Sequence, residues 1–183
     1  MNTATRVQAA AFYSNVRRLI QTVQVTTGAT PQTQTRNVGD GAFYGFELSL
    51  DTEIAPQLDV GGNYTYMHRE IKDALQPNLH PTGVPDHKAF FYAAWRPLAA
   101  LKITPSLEVA GKRWSDQTTS PAQAIPFIRT GGYTLVNLQV EYSLTQNLEI
   151  AIGGKNLLDK NYELSWGLPQ AGRNLYAKAR LTF

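Results

Sequence analysis

The chain has 183 residues, a formal net charge of +3 and a hydrophobic fraction of 43%. Its mean hydropathy is −0.29, and no apolar run approaches the roughly 18 residues of a transmembrane helix, which excludes that class. The absence of cysteine excludes a disulfide framework and a thiolate metal site. Positive charge is spread along the chain without a dense Lys/Arg block, which argues against nucleic acid as a partner.

An alternation of apolar and polar residues with period two predicts strands throughout and no convincing helix. The predicted fold is all-β, an antiparallel up-and-down meander of about eight long strands. Most of these strands match the 9–11 residues that a tilted strand needs to cross a bilayer. In chain order they span about 4–13, 36–54, 57–70, 87–96, 101–114, 132–144, 147–157 and 172–183.

The last predicted strand shows the alternation most clearly. Every second residue from Leu175 to Leu181 is apolar, and an aromatic residue, Phe183, follows on the same face. The residues between them, among them Lys178 and Arg180, are polar or amphipathic. Successive side chains of a strand point to opposite faces, so this strand suits a position between lipid and a wet lumen.

The predicted connections alternate between short and long. The short turns lie at 55–56, 97–100 and 145–147, and the long segments are 14–35, 71–86, 115–131 and 158–171. In a meander all short turns then lie at one end and all long loops at the other, as in outer-membrane barrels. An even number of strands places both termini at the short-turn, periplasmic end. A soluble sandwich or barrel has no reason to segregate its loops in this way.

Aromatic residues near predicted strand ends are typical of the girdles at membrane interfaces, although strands are aromatic-rich in general. They are Tyr64, Tyr66, Trp95, Trp114, Tyr133, Tyr142, Tyr162 and Trp166.

Residue patterns that carry chemistry are weak. The three histidines, His68, His80 and His87, lack the spacing of a metal site, and no nucleophile elbow is present. Gly153-Gly154-Lys155 lacks the phosphate-loop spacing and is better explained as a strand that needs small residues near its outer end. Carboxylates on the polar faces, such as Glu141, are expected to face a lumen. The sequence therefore predicts no catalytic residues, no metal ligands and no cofactor.

One segment resembles a known family. The residues Gly154-Lys155-Asn156-Leu157-Leu158-Asp159-Lys160-Asn161-Tyr162, then Gly167-Leu168-Pro169-Gln170-Ala171-Gly172-Arg173 and a last strand ending in Phe183, resemble the carboxy-terminal region of TonB-dependent outer-membrane receptors. The matching motif positions are Asn156, Leu157, Asp159, Tyr162, Gly172 and Arg173. More loosely, 64–67 and 83–89 resemble late barrel strands of the same family.

The resemblance implies a 22-stranded barrel, closed by a plug domain, that imports ferric siderophores or cobalamin with energy delivered through TonB. It also implies that Tyr176, Leu181 and Phe183 form the assembly signal read by the barrel-insertion machinery. We find no plug domain, TonB box or signal peptide in the sequence. We therefore expect residues 1–183 to be a carboxy-terminal barrel segment in the outer membrane of a Gram-negative cell, in contact with its lipid and not competent for transport alone.

Alternatives remain open at this point. The eight strands could close into a small barrel. An open curved sheet from a larger barrel is favoured, because the long unpaired edges of the first and last strands would normally pair with strands that are missing here. The chain could be a self-standing eight-stranded outer-membrane protein with a structural or adhesive role, or a soluble β-barrel binding module. If the parent binds a ferric siderophore or similar small ligand, the candidate contacts in the outer loops are His80, Trp114, Arg129 and Trp166. The rival interpretation is that these loops only cover the barrel mouth.

Overall fold

The computed structural model describes residues 5–24, 32–72, 79–116 and 127–183, and their regular structure is entirely β-strand. Parts of three predicted loops, at 25–31, 73–78 and 117–126, and the first predicted strand residue lie outside the described residues. The described strands are β1 (Thr5–Gln24), β2 (Thr33–Ala55), β3 (Leu58–Lys72), β4 (His87–Leu98), β5 (Leu101–Ala110), β6 (Arg113–Asp116), β7 (Phe127–Thr130), β8 (Tyr133–Ser143), β9 (Leu148–Lys155), β10 (Glu163–Ser165), β11 (Leu168–Pro169) and β12 (Asn174–Leu181). Among the described residues there is no helix of the length and apolarity needed to span a membrane.

Eight of the strands form one sheet in the order β1-β2-β3-β4-β5-β8-β9-β12. Every neighbouring pair is antiparallel, which confirms the predicted meander. The remaining four strands pair as two small hairpins, β6 with β7 and β10 with β11. These hairpins are inserted in the long connections that follow β5 and β9, so they extend from the long-loop end of the sheet.

The sheet is a single layer whose two faces differ in polarity. The register aligns apolar side chains of neighbouring strands on one face, for example Val140 opposite Ile152 and Ile152 opposite Ala177. This apolar face is widely exposed, with Ile152 61% and Leu175 73% accessible. A sheet in water would bury such a face under a second layer, so this one requires lipid. The large exposed residues of the apolar face include Val7, Phe46, Leu48, Leu50, Phe91, Trp95, Leu138 and Leu181.

On the opposite, polar face, contacts between polar side chains join neighbouring strands. Lys102 Nζ lies 2.9 Å from Glu141 Oε2, joining β5 to β8. The hydroxyl of Tyr92 donates to Asp51 at 2.7 Å across three strands. These contacts pair charged and polar groups on a face that would be unfavourable in lipid, and the face therefore belongs on the wet side of the sheet.

The short turns lie together at one end, as predicted. The turn from β2 to β3 is Pro56–Gln57, and the turn from β4 to β5 is Ala99–Ala100. Between β8 and β9, the hydroxyl of Thr145 accepts hydrogen bonds from the backbone N–H groups of Asn147 and Leu148, at 3.2 and 3.0 Å. Side-chain bonds of this kind favour tight turns over continued strand.

The predicted loop over 14–35 is wrong over most of its described length. The β1–β2 ladder continues from Ser14 opposite Phe43 to Gln24 opposite Thr33, with a distortion at Arg18, whose φ is 56°. Polar residues interrupt the apolar alternation in this stretch. A hairpin that extends beyond a bilayer is wet on both faces, so its strands need no apolar face and period two is lost.

The predicted strand over 101–114 ends earlier, at Ala110. Residues 111–112 interrupt it, and Arg113–Asp116 then leaves the sheet to pair with β7. The long segment 115–131 thus contains one hairpin, and the segment 158–171 contains the other. The last strand begins at Asn174, two residues later than predicted.

The edges of the sheet are β1 and β12, and no ladder joins them among the described residues. Both edge strands run their full length with one side unpaired in the sheet. The sheet is therefore open, in agreement with the favoured interpretation of the sequence.

Candidate ligand site at the long-loop end of the sheet

A cavity of about 370 Å³ lies where the outer end of β3, the segment 79–86 and the β6–β7 hairpin meet. Its wall combines four cationic side chains, two carboxylates, two imidazoles and one indole. The lining residues are His68, Arg69, Glu70, Ile71, Leu79, His80, Pro81, Val84, Asp86, Lys112, Arg113, Trp114 and Arg129.

Arg69 fixes one wall of the cavity by binding the backbone of the neighbouring loop. Its guanidinium donates to the carbonyl oxygens of Thr82 at 3.1 Å, Pro81 at 3.3 Å and Val84 at 2.7 Å. The backbone N–H of Gly83 donates to the carbonyl of Trp114 at 2.9 Å. The loop is thereby attached to β3 on one side and to β6 on the other.

Three of the four candidate contact residues lie together in this cavity. The rings of His80 and Trp114 stack with centroids 3.9 Å apart and planes 4° from parallel. The guanidinium of Arg129 lies over the Trp114 ring at 5.3 Å, a cation–π geometry. Burial and the charge of Arg129 lower the pKa of His80, which favours its neutral imidazole. These side chains form a preorganised aromatic and cationic surface.

The fourth candidate, Trp166, lies outside the cavity lining. It follows β10, and its backbone N–H donates to the hydroxyl of Ser115 at 2.9 Å. The hydroxyls of Ser115 and Ser165 are also 2.9 Å apart, and Ser115 is 2% exposed. Trp166 therefore belongs to the contact that packs the β10–β11 hairpin against β6.

The sequence interpretation missed Arg113, Arg69 and Lys112 as lining residues. Arg113 is 6% exposed, and its guanidinium lies over the ring of Tyr133 at 5.4 Å. The run Lys112-Arg113-Trp114 combines positive charge with an aromatic residue and was the available signal. The register of β6 against β7, which brings this run to the cavity, is a long-range feature that the local pattern did not contain.

The family-motif residue Asn156 holds the last long loop by side-chain hydrogen bonds. It is 3% exposed and adopts φ of 50°, a left-handed conformation that asparagine tolerates. Its amide donates to the carbonyls of Lys160 at 2.9 Å and Ala171 at 3.3 Å, and its side-chain oxygen accepts from the N–H of Lys160 at 2.8 Å. Its own N–H donates to the side chain of Asn137 at 2.9 Å.

Asp159 and Gly172 form a second contact in the same loop. Asp159 Oδ1 accepts a hydrogen bond from the backbone N–H of Arg173 at 2.8 Å. A Cβ atom at position 172 would lie 2.6 Å from the same oxygen, so only glycine fits there without a shift. The side chain of Asp159 and the backbone of Gly172 and Arg173 therefore hold this loop together.

Leu157 and Tyr162 attach this loop to the sheet. The N–H of Leu157 donates to the carbonyl of Val136 at 2.8 Å. The ring of Tyr162 packs on Tyr133 with centroids 4.4 Å apart, beside the small buried cluster of Ala110, Tyr133 and Leu135. Tyr133 and Tyr162 thus pack against each other and are not girdle residues at a lipid interface.

The expected assembly signal consists of Tyr176, Leu181 and Phe183. Tyr176 and Leu181 lie on opposite faces of β12, and Phe183 lies beyond its end. Tyr176 lies on the polar face, where its hydroxyl donates to Gln139 at 2.8 Å and its ring covers Gly153. Leu181 and Phe183 are exposed. The ring over Gly153 supports the interpretation that β9 needs small residues at its outer end.

Among the described residues, no three or more His, Cys, Asp or Glu side chains are grouped so that they could hold a metal ion. The cavity can therefore offer charge, hydrogen-bond donors and aromatic faces to a ligand, but its described side chains provide no ligand set for a bare ion.

A wall of long antiparallel strands, with an apolar face exposed, a polar face opposite and long loops at one end, is the architecture of outer-membrane β-barrels. Comparison with known proteins agrees. The family described as "TonB dependent receptor-like, beta-barrel" matches residues 2–157. The chain belongs to the TonB-dependent receptor family, whose members are transporters rather than enzymes, and it is located in the outer membrane.

Similar proteins include two with iron-related names. The chain is 27% identical over 157 residues to the iron-regulated outer membrane virulence protein of Vibrio cholerae serotype O1, covering 85% of this chain and 24% of the relative. It is 25% identical over 147 residues to the ferripyoverdine receptor of Pseudomonas aeruginosa, covering 76% of this chain and 18% of the relative. The chain thus spans about a quarter or less of the length of these curated relatives.

Solved structures share the fold. The siderophore receptor PiuA from Acinetobacter baumannii superposes with a TM-score of 0.74 at 18% identity, over 97% of this chain and 26% of that one. The copper transporter OprC superposes with a TM-score of 0.76 at 18% identity, over 98% of this chain and 29% of that one.

Proposed function

We propose that this chain forms the carboxy-terminal part of the barrel wall of a receptor for a ferric siderophore or a similar metal complex. The observation that carries the proposal is the cavity at the long-loop end, where the Trp114 ring contacts both His80 and Arg129. Loops at this end of an outer-membrane barrel face the outside, where such a ligand arrives. The iron-related names of the relatives support the same ligand class.

The transport step belongs, in this proposal, to the whole receptor. The described sheet is open, and β1 and β12 each offer a free edge to further strands of the same wall. In this proposal a plug domain makes the contact with TonB, and the wall segment contributes ligand contacts and membrane insertion. We further propose that Tyr176, Leu181 and Phe183 are read by the barrel-insertion machinery.

The cavity is chemically suited to metal chelates more than to bare ions. The wall contains four cationic side chains and two carboxylates, so its net charge is positive even with His80 neutral. Indole and imidazole faces can pack on the organic part of a chelate, while the cations balance the negative charge that siderophore oxygens carry. This combination of features supports a ligand site over loops that only cover a barrel mouth.

The test uses outer membranes that contain the full receptor. Binding of iron-55 is measured for three complexes: a tris-catecholate, a trihydroxamate and ferric citrate. We expect saturable binding of at least one complex, weakened roughly 3–10-fold by W114A because an aromatic contact is lost. The matched control is W95A, at the opposite end of the sheet. Binding no higher than in receptor-free membranes for all three complexes, or equal loss in W114A and W95A, would reject the proposal.

A further inference from the structure

Arg113 has an unusual environment for a charged side chain. It lines the cavity yet is only 6% exposed. Its Nε and Nη2 atoms are shielded from water and have no hydrogen-bond partner among the described residues. A guanidinium stays charged at any physiological pH. Charged donors in such a position are unfavourable unless an oxyanion pairs with them.

Two described carboxylates in this region have other partners, and the charge of a third, Asp86, acts on Arg69. Glu108 accepts the hydroxyl of Tyr133 at 3.1 Å, and Glu70 lies 3.4 Å from Lys72 Nζ. The ion pairs found among the described residues do not include Arg113. The face of its guanidinium is covered by Tyr133 at 5.4 Å. One edge of the fork, formed by Nε and Nη2, is left without an acceptor.

We infer that the Nε/Nη2 edge of Arg113 binds a carboxylate group of the metal chelate, so that the ligand belongs to the carboxylate class. This inference rests on the proposed function. Two parallel N–H donors in one plane match the two oxygens of a carboxylate, and they favour it over a single-point acceptor.

A phosphate could use the same fork. A carboxylate is inferred because the proposed ligand is a metal chelate, and inorganic phosphate is therefore one arm of the test. Glu70 and Asp86 also line the cavity. Four cationic side chains in the same wall outnumber them, so the wall attracts either anion. Trp114 and Arg129 lie in the same wall, where they can contact the remainder of the chelate.

The experiment compares Arg113→Lys with Arg180→Lys in the full receptor. Lysine keeps the positive charge but loses the planar fork. Arg180 lies exposed on β12, away from the cavity. The probes are ferric citrate, a ferric trihydroxamate and a ferric tris-catecholate without carboxylates. We expect ferric citrate to bind, with a dissociation constant raised about tenfold or more by R113K and changed less than twofold by R180K.

A second measurement uses the unaltered receptor, so that a folding defect of R113K does not decide the outcome. Iron-free tricarballylate, a tricarboxylate, should displace bound ferric citrate at a concentration where inorganic phosphate does not. Equal or better displacement by phosphate would overturn the carboxylate assignment. Binding of only the trihydroxamate or tris-catecholate would also overturn it, and so would equal affinities of assembled R113K and R180K, while the proposed function would stand. If none of the three complexes binds, the proposed function itself fails.

Discussion

The membrane-facing sheet and the outer loops are stabilised in different ways. In the sheet, apolar residues are exposed on one face and polar residues pair on the other. In the outer loops, polar side chains are buried. The buried polar residues among those described, Arg113, Ser115, Thr130 and Asn156, all belong to segments beyond the long-loop ends of the sheet strands. The sheet depends on alternation and lipid, whereas the loops depend on particular hydrogen bonds.

This difference has a thermodynamic consequence. A buried polar group that loses its partner costs about 1–3 kcal/mol, whereas an exposed pair on a wet sheet face contributes little. Single substitutions in the loops should therefore have large local effects, and most polar substitutions in the sheet should have small ones. The predictions below test this contrast.

The largest effect is expected for Asn156→Ala. The substitution removes three side-chain hydrogen bonds to the backbone of residues 160 and 171. We expect the loop over 157–173 to lose about 2–4 kcal/mol of local stability. Hydrogen exchange of the full receptor in detergent should show faster exchange in this loop and unchanged exchange in β3 to β5.

The control for Asn156 is Asn63→Ala, at an exposed position of β3 on the polar face. It should leave exchange in 157–173 unchanged. Asn156→Asp retains the acceptor for the N–H of Lys160 and should recover part of the protection. Equal exchange in N156A and N63A would show that the loop is held by other contacts.

Gly153→Ala should have the next largest effect. A Cβ atom there would collide with the ring of Tyr176, so the ring must move and its hydrogen bond to Gln139 is lost. We expect destabilisation of about 1–3 kcal/mol, typical of overpacking. Urea unfolding of the receptor in lipid vesicles measures it.

A double-mutant cycle separates this collision from a general intolerance of alanine in β9. With Tyr176→Ala already present, Gly153→Ala should cost little, because the ring that it meets is absent. If G153A costs the same in both backgrounds, the ring of Tyr176 is not the reason for glycine at this position.

The sequence predicted the sheet well because its signal is local. Alternation from Leu175 to Leu181 identifies two faces within a few residues, and the short turns at 56–57 and 99–100 follow from where that alternation stops. Where both faces are wet, as in the outer half of the β1–β2 hairpin, the same rule failed. A period-two alternation arises because one face of a strand meets lipid and the other meets water. It disappears where both faces meet water.

The outer site was only partly predictable for a related reason. His80, Trp114 and Arg129 were chosen by residue type and loop position, and the structure brings them together. The burial of Arg113 could not be read locally, since it arises from Tyr133, some 20 residues further along the chain. The motif residue Asn156 suggested a family, but its hydrogen bonds to residues 160 and 171 appear only in the folded loop.

A smaller effect is expected for the protonation of His80. Its pKa is lowered by burial and by Arg129, so the folded state binds this proton less well than the unfolded state. The contribution of neutral His80 is therefore complete above the ordinary histidine pKa of about 6.5, and it is lost as the pH falls through the lowered value. Arg129→Gln removes one cause and should move the midpoint upward.

Histidine-labelled receptor allows the His80 midpoint to be followed by NMR, with His68→Gln and His87→Gln used for assignment. Arg180→Gln is the matched control and should leave the midpoint unchanged. A midpoint that is the same in R129Q and R180Q would show that the charge of Arg129 does not act on the imidazole.

The smallest effect is expected in the sheet, at the ion pair of Arg96 and Asp59 that joins β4 to β3 on the polar face. Their side chains are 46% and 34% exposed, so water screens the attraction and competes for both groups. A double-mutant cycle of D59N and R96Q, measured by urea unfolding in lipid vesicles, should give a coupling of about 0–1 kcal/mol. A coupling above about 2 kcal/mol, the scale of buried networks, would contradict the distinction between regions. It would mean that polar contacts of the sheet face are as specific as those of the loops. A small coupling would mean that the polar face of the sheet tolerates changes in its individual ion pairs. The outer loops would then be the region whose stability depends on particular buried polar groups.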